Sequence, residues 1–404
     1  WEWTYYSKHV LLQTPVYLAV LFFLCMVCHG ELVRRKPHAR RLTSFYLSVA
    51  AGGALGGILV ALVCPLVFST FFELNLAVIL GFVLALYAYV AEPKKQWLPK
   101  ATPLLRSMIV LTVVVVSLIV IGTQLTLRDL DETVERARNF YGVLSIKERT
   151  PEDPEVGGLA MYHGDTLHGF QLLADEKRND PTSYYTEHSG VGRTFQCIRE
   201  GSPLRVGAIG LGAGTIAAYA RQDDYFRFYE INPLVIELTD KHFSFLQLAR
   251  ERGAQIDMIE GDARLSLELE EPQDFDVLVL DAFSGDSIPV HLLTREAFEV
   301  YMRHMKPDGV IAVHTSNRYL NLVPVVLRVA QHYNLKNAVV HSRRAKELAI
   351  AWSDWIVLTK NEPFLQKDSF KQRYKDEEVY PFSPVDNTVP LWTDQYNNLF
   401  HTIF

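Results

Sequence analysis

Residues 204–233 read LRVGAIGLGAGTIAAYARQDDYFRFYEINP, and this segment decides the fold. An apolar, β-branched run turns through Gly210, Gly212 and Gly214, continues in a helical pattern, and is followed by a second short strand that ends on Glu230. Glycines suit a tight turn where the backbone approaches a ligand, and a carboxylate at the next strand end can accept hydrogen bonds from ribose hydroxyls. The segment predicts a nucleoside-binding half of a doubly wound sheet. An ordinary strand-to-helix turn is the alternative, since a lone glycine motif is weak.

The residues that follow favour a ligand smaller than a dinucleotide. The dinucleotide fingerprint expects a third glycine where this chain has Thr215. Two further strands, in AQIDMIEGDAR and FDVLVLDAFSGDSIP, lead to Asp262 and to Asp281 and Asp286. Because the carboxyl ends of strands in an open α/β sheet line one crevice, these carboxylates are expected to face a common ligand. The layout suits S-adenosylmethionine, with Glu230 at the ribose, Asp262 at the adenine amino group and Asp281 near the sulfonium.

Residues 140–360 resemble the spermidine synthase family of aminopropyltransferases, and in particular its membrane-fused bacterial branch. The resemblance rests on GLGAG, YEINP, EGDAR and LVLDAFSGDSIP, with HGDTLHGFQ and PTSYYTEHSG upstream. It implies an enzyme that binds S-adenosylmethionine or its decarboxylated form. An amine attacks the carbon next to the sulfonium and displaces methylthioadenosine.

The resemblance also implies a set of site residues. Asp281 is the expected catalytic residue, which orients the amine and takes its proton; capping of the following helix is the alternative. Donor-binding residues are expected at Gln171, Gly210, Gly212, Gly214, Glu230, Ile231, Asp262 and Ala263, and substrate-binding residues at Tyr184, Tyr185 and Asp286. No metal is expected, since methylthioadenosine leaves as a neutral group.

The chain departs from the family at two places. The family carries an Asp where this chain has Ala213, and its amine-site segment is not recognisable in SRRAKELAIAWSDW. Loss of that negative charge predicts that S-adenosylmethionine itself is accepted at least as well as the decarboxylated donor. His163 and His168 are expected on opposite faces of a β-like segment, as packing or substrate contacts rather than a metal pair.

Composition and apolar runs predict two parts. At 404 residues and 49% hydrophobic content, the chain is too long for one ordinary domain and too apolar for a purely soluble one. We predict a membrane domain at 1–125 with four transmembrane helices (runs 10–28, 45–68, 74–90 and 108–125), a helical connector at 126–139, a small antiparallel β subdomain at 140–200, and a Rossmann-like domain of seven strands at 201–404.

Charge is distributed unevenly along the chain. Residues 1–125 carry 10 Lys and Arg against 4 Asp and Glu, and the remainder carries 30 against 42. The acidic part argues against a nucleic-acid partner and is compatible with amine substrates. The sequence predicts an integral protein of the plasma (inner) membrane. Its two basic loops place the following domain outside by the positive-inside rule, whereas the supply of the donor favours the cytoplasm.

Three functions are open at this point. The first is the aminopropyltransferase-like enzyme, acting on a small amine at the lipid bilayer, with a homodimer possible. The second is a methyltransferase with the same fold, which would release S-adenosylhomocysteine. The third is a polyamine transporter or sensor that uses a catalytically inactive domain; intact Glu230, Asp262 and Asp281 weigh against it.

Overall fold

The computed structural model describes residues 2–91, 133–150, 153, 156–198, 201–283, 289–317, 320–342, 352–372 and 377–402. The chain divides into two compact units. The first comprises Trp1–Asp131 with Arg138–Phe140, and the second comprises Glu132–Ala137 with Tyr141–Phe404.

The first unit is helical. Its described helices are α1 (Glu2–Arg34), α2 (Leu42–Ile58), α3 (Cys64–Val67) and α4 (Phe72–Ala91), and a π-helical turn at Leu59–Val63 joins α2 to α3. Two stretches, Tyr17–Arg34 and Ala39–Val67, are long and apolar enough to cross a membrane, and Phe72–Tyr87 is shorter. These correspond to the first three predicted runs, and the fourth, 108–125, lies outside the described residues.

Apolar side chains of these helices point outward. Leu66 is 87% exposed, and Leu47, Leu55 and Phe23 are each exposed by more than half. In water such a surface is costly, at about 25 cal/mol for each Å² of apolar area. An apolar environment would remove this cost.

A small antiparallel sheet begins the second unit. Its strands are β1 (Thr133–Asn139), β2 (Gly142–Arg149), β3 (Gly158–His163) and β4 (Thr166–Leu172), paired in that order. This confirms the predicted antiparallel sheet, but the helical prediction for the connector is wrong over 133–139. TVERARN has no apolar face with a period of 3.6, and pairing with β2 supplies its backbone partners.

The main sheet has eight strands in the order β12-β10-β11-β9-β8-β5-β6-β7. They are β5 (Arg205–Ile209), β6 (Tyr225–Glu230), β7 (Gln255–Glu260), β8 (Phe275–Leu280), β9 (Met305–His314), β10 (Lys336–Ser342), β11 (Ser353–Thr359) and β12 (Glu377–Pro381). The pairs from β9 to β7 are parallel, and β11, β10 and β12 are antiparallel. The seven predicted strands are present. The eighth, β12, was missed because a short, charged edge strand with a proline lacks an apolar pattern.

Both faces of the main sheet are buried. Val277 and Val279 lie in one apolar cluster, whereas Leu278 and Leu280 lie in the other. Alternate residues of β8 thus face opposite layers, as a central strand of a doubly wound sheet requires. The covering helices are α5 (Gly190–Ile198), α6 (Pro233–His242), α7 (Phe245–Glu251), α8 (Ala263–Leu269), α9 (Arg295–Arg303), α10 (Val323–His332), α11 (Glu362–Gln366) and α12 (Asp368–Lys371).

Candidate active site

The glycine turn follows β5, between the ends of β8 and β6. Gly210, Gly212 and Gly214 have φ of +95°, +53° and +79°, a backbone region that favours glycine. A Cβ on Gly210 would lie 2.3 Å from the carbonyl oxygen of Asp281, and one on Gly212 would lie 2.4 Å from that of His168. The turn is therefore packed directly against two other backbone segments. The helix predicted after it is only a 3₁₀ turn, Thr215–Tyr219.

Glu230 ends β6 with its carboxylate fixed. Its two oxygens accept backbone N–H groups, Oε2 from Leu211 at 3.0 Å and Oε1 from Asn232 at 2.9 Å. Burial raises the pKa of Glu230, and the amide hydrogen bonds oppose that rise. The amides orient the carboxylate, and each oxygen keeps a lone pair for a hydroxyl donor.

Asp262 lies just beyond β7. Its Oδ1 accepts the N–H of Leu265 at 2.9 Å, which caps α8. Its Oδ2 lies 2.8 Å from Nε2 of His291, a residue of the 3₁₀ turn Val290–Leu292. The carboxylate therefore has a structural role as a cap in addition to its predicted contact with the donor.

Asp281 follows β8 and is buried. Its Oδ2 accepts the hydroxyl of Tyr185, and its Oδ1 lies 2.6 Å from Nδ1 of His314 at the end of β9. Tyr185 in turn lies 3.3 Å from the hydroxyl of Tyr184. Burial raises the pKa of both tyrosines well above the ordinary value, so both hydroxyls keep their protons at neutral pH.

A cavity of about 280 Å³ joins these groups. Its lining includes all three strand-end carboxylates, two of the three turn glycines, and the two residues that follow Glu230 and Asp262. These predicted residues are Gly210, Gly212, Glu230, Ile231, Asp262, Ala263 and Asp281. These residues share one cavity, as the sequence predicts.

Other predicted site residues lie elsewhere. Gln171 does not line the cavity; its amide bonds the backbone oxygen of Arg178 and both the backbone and side chain of Ser244. Tyr185 bonds Asp281 and adjoins Tyr184, and neither tyrosine lines the cavity. Gly214 is the N-cap of the 3₁₀ turn. Asp286 lies outside the described residues.

His163 and His168 both line the cavity, so the expectation of opposite faces is wrong. Their ring centroids are 5.7 Å apart. They lie on two antiparallel strands, and the register shifts so that His168 has no partner residue on β3. A bulge of this kind re-aims a side chain. Burial, with a smaller contribution from His163, lowers the pKa of His168 to about 4, so its ring is neutral at neutral pH.

Sequence reasoning missed His291 and His314. Both contact a strand-end carboxylate, and His314 itself ends a strand, in the segment VIAVHTSN. The rule that found Asp281, a polar residue directly after an apolar strand, also selects His314. His291 has no such signal, because its partner Asp262 is 29 residues away.

Comparison with known proteins gives partial similarities. No protein-family model matches the chain. Solved structures with similar folds include a probable spermidine synthase from Corynebacterium glutamicum ATCC 13032 (16% identity, 63% of this chain, 91% of that chain, TM-score 0.46) and spermidine synthase from Thermotoga maritima (15%, 61%, 80%, 0.43). The polyamine aminopropyltransferase of Vibrio vulnificus (strain CMCP6) is 30% identical over 118 residues. The chain is spermidine synthase-like.

The spermidine synthase-like match is partial. It covers 28% of this chain and 38% of the Vibrio protein, so the chain spans about two fifths of that relative's length. The match supports the resemblance that the sequence motifs indicated.

Proposed function

We propose that the chain is a membrane-anchored aminopropyltransferase-like enzyme. The observation that carries the proposal is the buried carboxylate of Asp281, which lines the cavity and is held by Tyr185 and His314. It follows β8, beside a glycine turn of close backbone approach and near Glu230, whose oxygens are fixed by amides. Such an arrangement suits a nucleoside donor on one side and a cationic or amine group on the other.

The proposed reaction balances without a cofactor. A substrate ammonium loses one proton, and its nitrogen lone pair attacks the carbon attached to the donor sulfonium. A C–N bond forms as the C–S bond breaks, and the bonding electrons return to sulfur. Asp281 orients the amine and takes its proton, which leaves later to solvent. The products are the extended amine and neutral methylthioadenosine.

The donor is assigned to the glycine side of the cavity. Glu230 would accept the ribose hydroxyls, and Asp262 would accept from the adenine amino group while still capping α8. Ile231 and Ala263, which follow them, supply apolar contact in the cavity wall. A contact from Gln171 stays a prediction, because its amide already bonds three groups.

The donor is proposed to be S-adenosylmethionine or its decarboxylated form, with the former accepted at least as well. Ala213 is fully buried and packs against Gly169, so this part of the turn carries no charge. A like charge in a poorly solvated cleft would disfavour the donor carboxylate by several kcal/mol. Competition binding to the wild-type chain tests this. Preference for the decarboxylated donor by about tenfold would contradict it.

Product analysis tests the reaction. The full chain in detergent is incubated with each donor and a panel of small diamines, and the products are identified by mass spectrometry. Methylthioadenosine with an amine extended by the donor's carbon arm is the expected pair. S-adenosylhomocysteine with a methylated amine would assign a methyltransferase. Donor recovered intact in every reaction would reject an enzyme of either kind.

Anchoring in the membrane is proposed from the N-terminal helices. Tyr17–Arg34 and Ala39–Val67 have the length and apolarity for crossing, and their apolar side chains are exposed. The expected result is that the chain stays with the membrane fraction after washing at alkaline pH and is released by detergent. Release by the wash alone would contradict the proposal.

A further inference from the structure

Among the described residues, the side chain of His314 makes one polar contact. Nδ1 lies 2.6 Å from Oδ1 of Asp281, whereas Nε2 is buried and bonds no group in the described part of the chain. The side chains of His314 and Asp281 are only 7% and 5% exposed. The short contact to a carboxylate oxygen assigns the proton to Nδ1, which therefore donates to Asp281.

Aromatic rings fix the plane of this imidazole. Tyr184 stacks on it with a centroid distance of 4.6 Å and an angle of 16°, and Trp355 stacks on it at 4.8 Å and 22°. Phe283 meets it edge-on at 5.2 Å. Trp355 also donates its indole N–H to the backbone oxygen of Tyr184 at 3.0 Å, which ties two of these neighbours together. These contacts set the plane of the imidazole that bonds Asp281.

The second oxygen of Asp281 is held independently. Tyr185 donates to Oδ2, so each oxygen has one fixed donor and the carboxylate plane is set. Held from two sides, the carboxylate has one orientation in the cavity wall. A reacting amine gains from such an arrangement, because a displacement in line with the C–S bond depends on where the amine is held.

We infer that His314 is the positioning residue for Asp281, fixing through its Nδ1–H the orientation in which the carboxylate receives the amine. This inference rests on the proposed function. It assigns His314 no contact with substrate. Losing one charge-assisted hydrogen bond is expected to lower kcat about 10-fold to 100-fold, with the affinity for methylthioadenosine unchanged.

Two substitutions separate the hydrogen bond from the aromatic stack. H314F keeps a stacked ring but has no donor, whereas H314N loses the ring and keeps an N–H near the position of Nδ1. The matched control is H341F. His341, on β10, makes the same kind of contact, Nδ1 to Oδ1 of Asp354 on β11 at 2.5 Å, but it does not line the cavity.

The experiment measures kcat, KM and methylthioadenosine affinity for the full chain in detergent. We expect kcat to fall in H314F, to recover at least partly in H314N, and to stay at the wild-type value in H341F. Equal kcat in H314F and wild type, or loss in H314N as large as in H314F, would overturn the positioning role. A wild-type chain without turnover would overturn the proposed function and this inference together. A wild-type chain with turnover, but with kcat values that contradict the expected pattern, would overturn only the inference.

If H314F does not fold, NMR of the wild-type chain and of two Asp variants tests the inference instead. With ¹⁵N-labelled histidine, the wild-type chain is expected to show two Nδ1–H protons shifted downfield by a carboxylate acceptor, one from His314 and one from His341. D281N should remove the first signal and keep the second, and D354N should do the reverse. A D281N spectrum that keeps both signals would overturn the inference.

Discussion

The main sheet contains two His–Asp pairs of nearly equal geometry and different surroundings. Asp281 and His314 meet at 2.6 Å across parallel strands, and Asp354 and His341 meet at 2.5 Å across antiparallel strands. The first pair is enclosed by stacked aromatic rings, whereas the ring of His341 is about one third exposed beside Tyr380. The hydrogen bond is the same in both. What differs is that only Asp281 lines the large cavity.

A short His–Asp contact therefore does not by itself identify a functional site. At His341 the hydrogen bond to Asp354 raises the pKa of the imidazole, and the ring is partly exposed to solvent. At Asp281 each carboxylate oxygen is bonded by a buried side chain, Oδ2 by Tyr185 and Oδ1 by His314. Location relative to the glycine turn and the cavity gives the first pair its proposed role.

The largest difference between the two His–Asp pairs is expected when their aspartates are substituted. D281N should keep methylthioadenosine binding and lose turnover by about 10²-fold or more, because an amide cannot take a proton from the amine. D354N should keep both. Steady-state rates and calorimetry on the two variants measure this. Turnover of D281N near that of the wild type at neutral pH would remove Asp281 from the mechanism.

A smaller effect, on donor binding, is expected at Glu230, with Glu260 as its matched control. Glu230 and Glu260 are register partners at the ends of β6 and β7, but Glu260 is exposed and does not line the cavity. E230A should weaken methylthioadenosine binding by about 1.5 to 3 kcal/mol, the range for hydrogen bonds to a charged group. E260A is the control and should bind as the wild type does. Equal affinities by calorimetry for wild type and E230A would reject the nucleoside assignment.

His168 should make the fold sensitive to acid. Its pKa is lowered to about 4, below the ordinary 6.5, so the unfolded chain binds a proton that the native chain does not. Stability should therefore fall as pH drops from about 6.5 to 4, by up to about 3 kcal/mol. H168Q removes this dependence. The measurement is the difference in unfolding free energy between wild type and H168Q at pH 7.5 and 4.5, and a difference that does not change with pH would contradict it.

His341 should show the opposite and weaker dependence. Its pKa is raised above the ordinary 6.5, so its pairing with Asp354 stabilises the fold fully below pH 6.5 and the contribution is lost as pH rises through the raised value. Because the ring is partly in water, the effect should be at most about 1 kcal/mol. Thermal unfolding of wild type and H341Q at pH 6 and 8.5 measures it. Greater relative stability of the wild type at the higher pH would reverse the sign and contradict the assignment.

Local patterns were enough to predict the glycine turn and its carboxylates. Each of Glu230, Asp262 and Asp281 follows an apolar strand, and parallel strands bring their carboxyl ends to one edge. The strongest strand signal was that of β8, whose burial on both faces makes it a near-continuous apolar run.

Features that depend on distant partners were not predictable in this way. His291 acquires its role from Asp262, and β12 is a strand only because β10 offers an edge. The register shift that turns His168 towards the cavity follows from pairing with β3, which no spacing rule within HGDTLHG contains. The connector was misread because charged residues at 133–139 carry little periodic signal.

The contact between Gly210 and the Asp281 backbone has a consequence for how this protein can change. A single added carbon at position 210 would sit 2.3 Å from the Asp281 carbonyl oxygen, so it would push the reactive carboxylate out of place while altering the donor loop. The glycine turn and the strand end that carries Asp281 are therefore expected to change together. The wall formed by β3 and β4 carries His163 and His168 and lies on a separate sheet. If the proposed function holds, specificity for other amines is expected to arise through substitutions in that wall, while position 210 stays glycine.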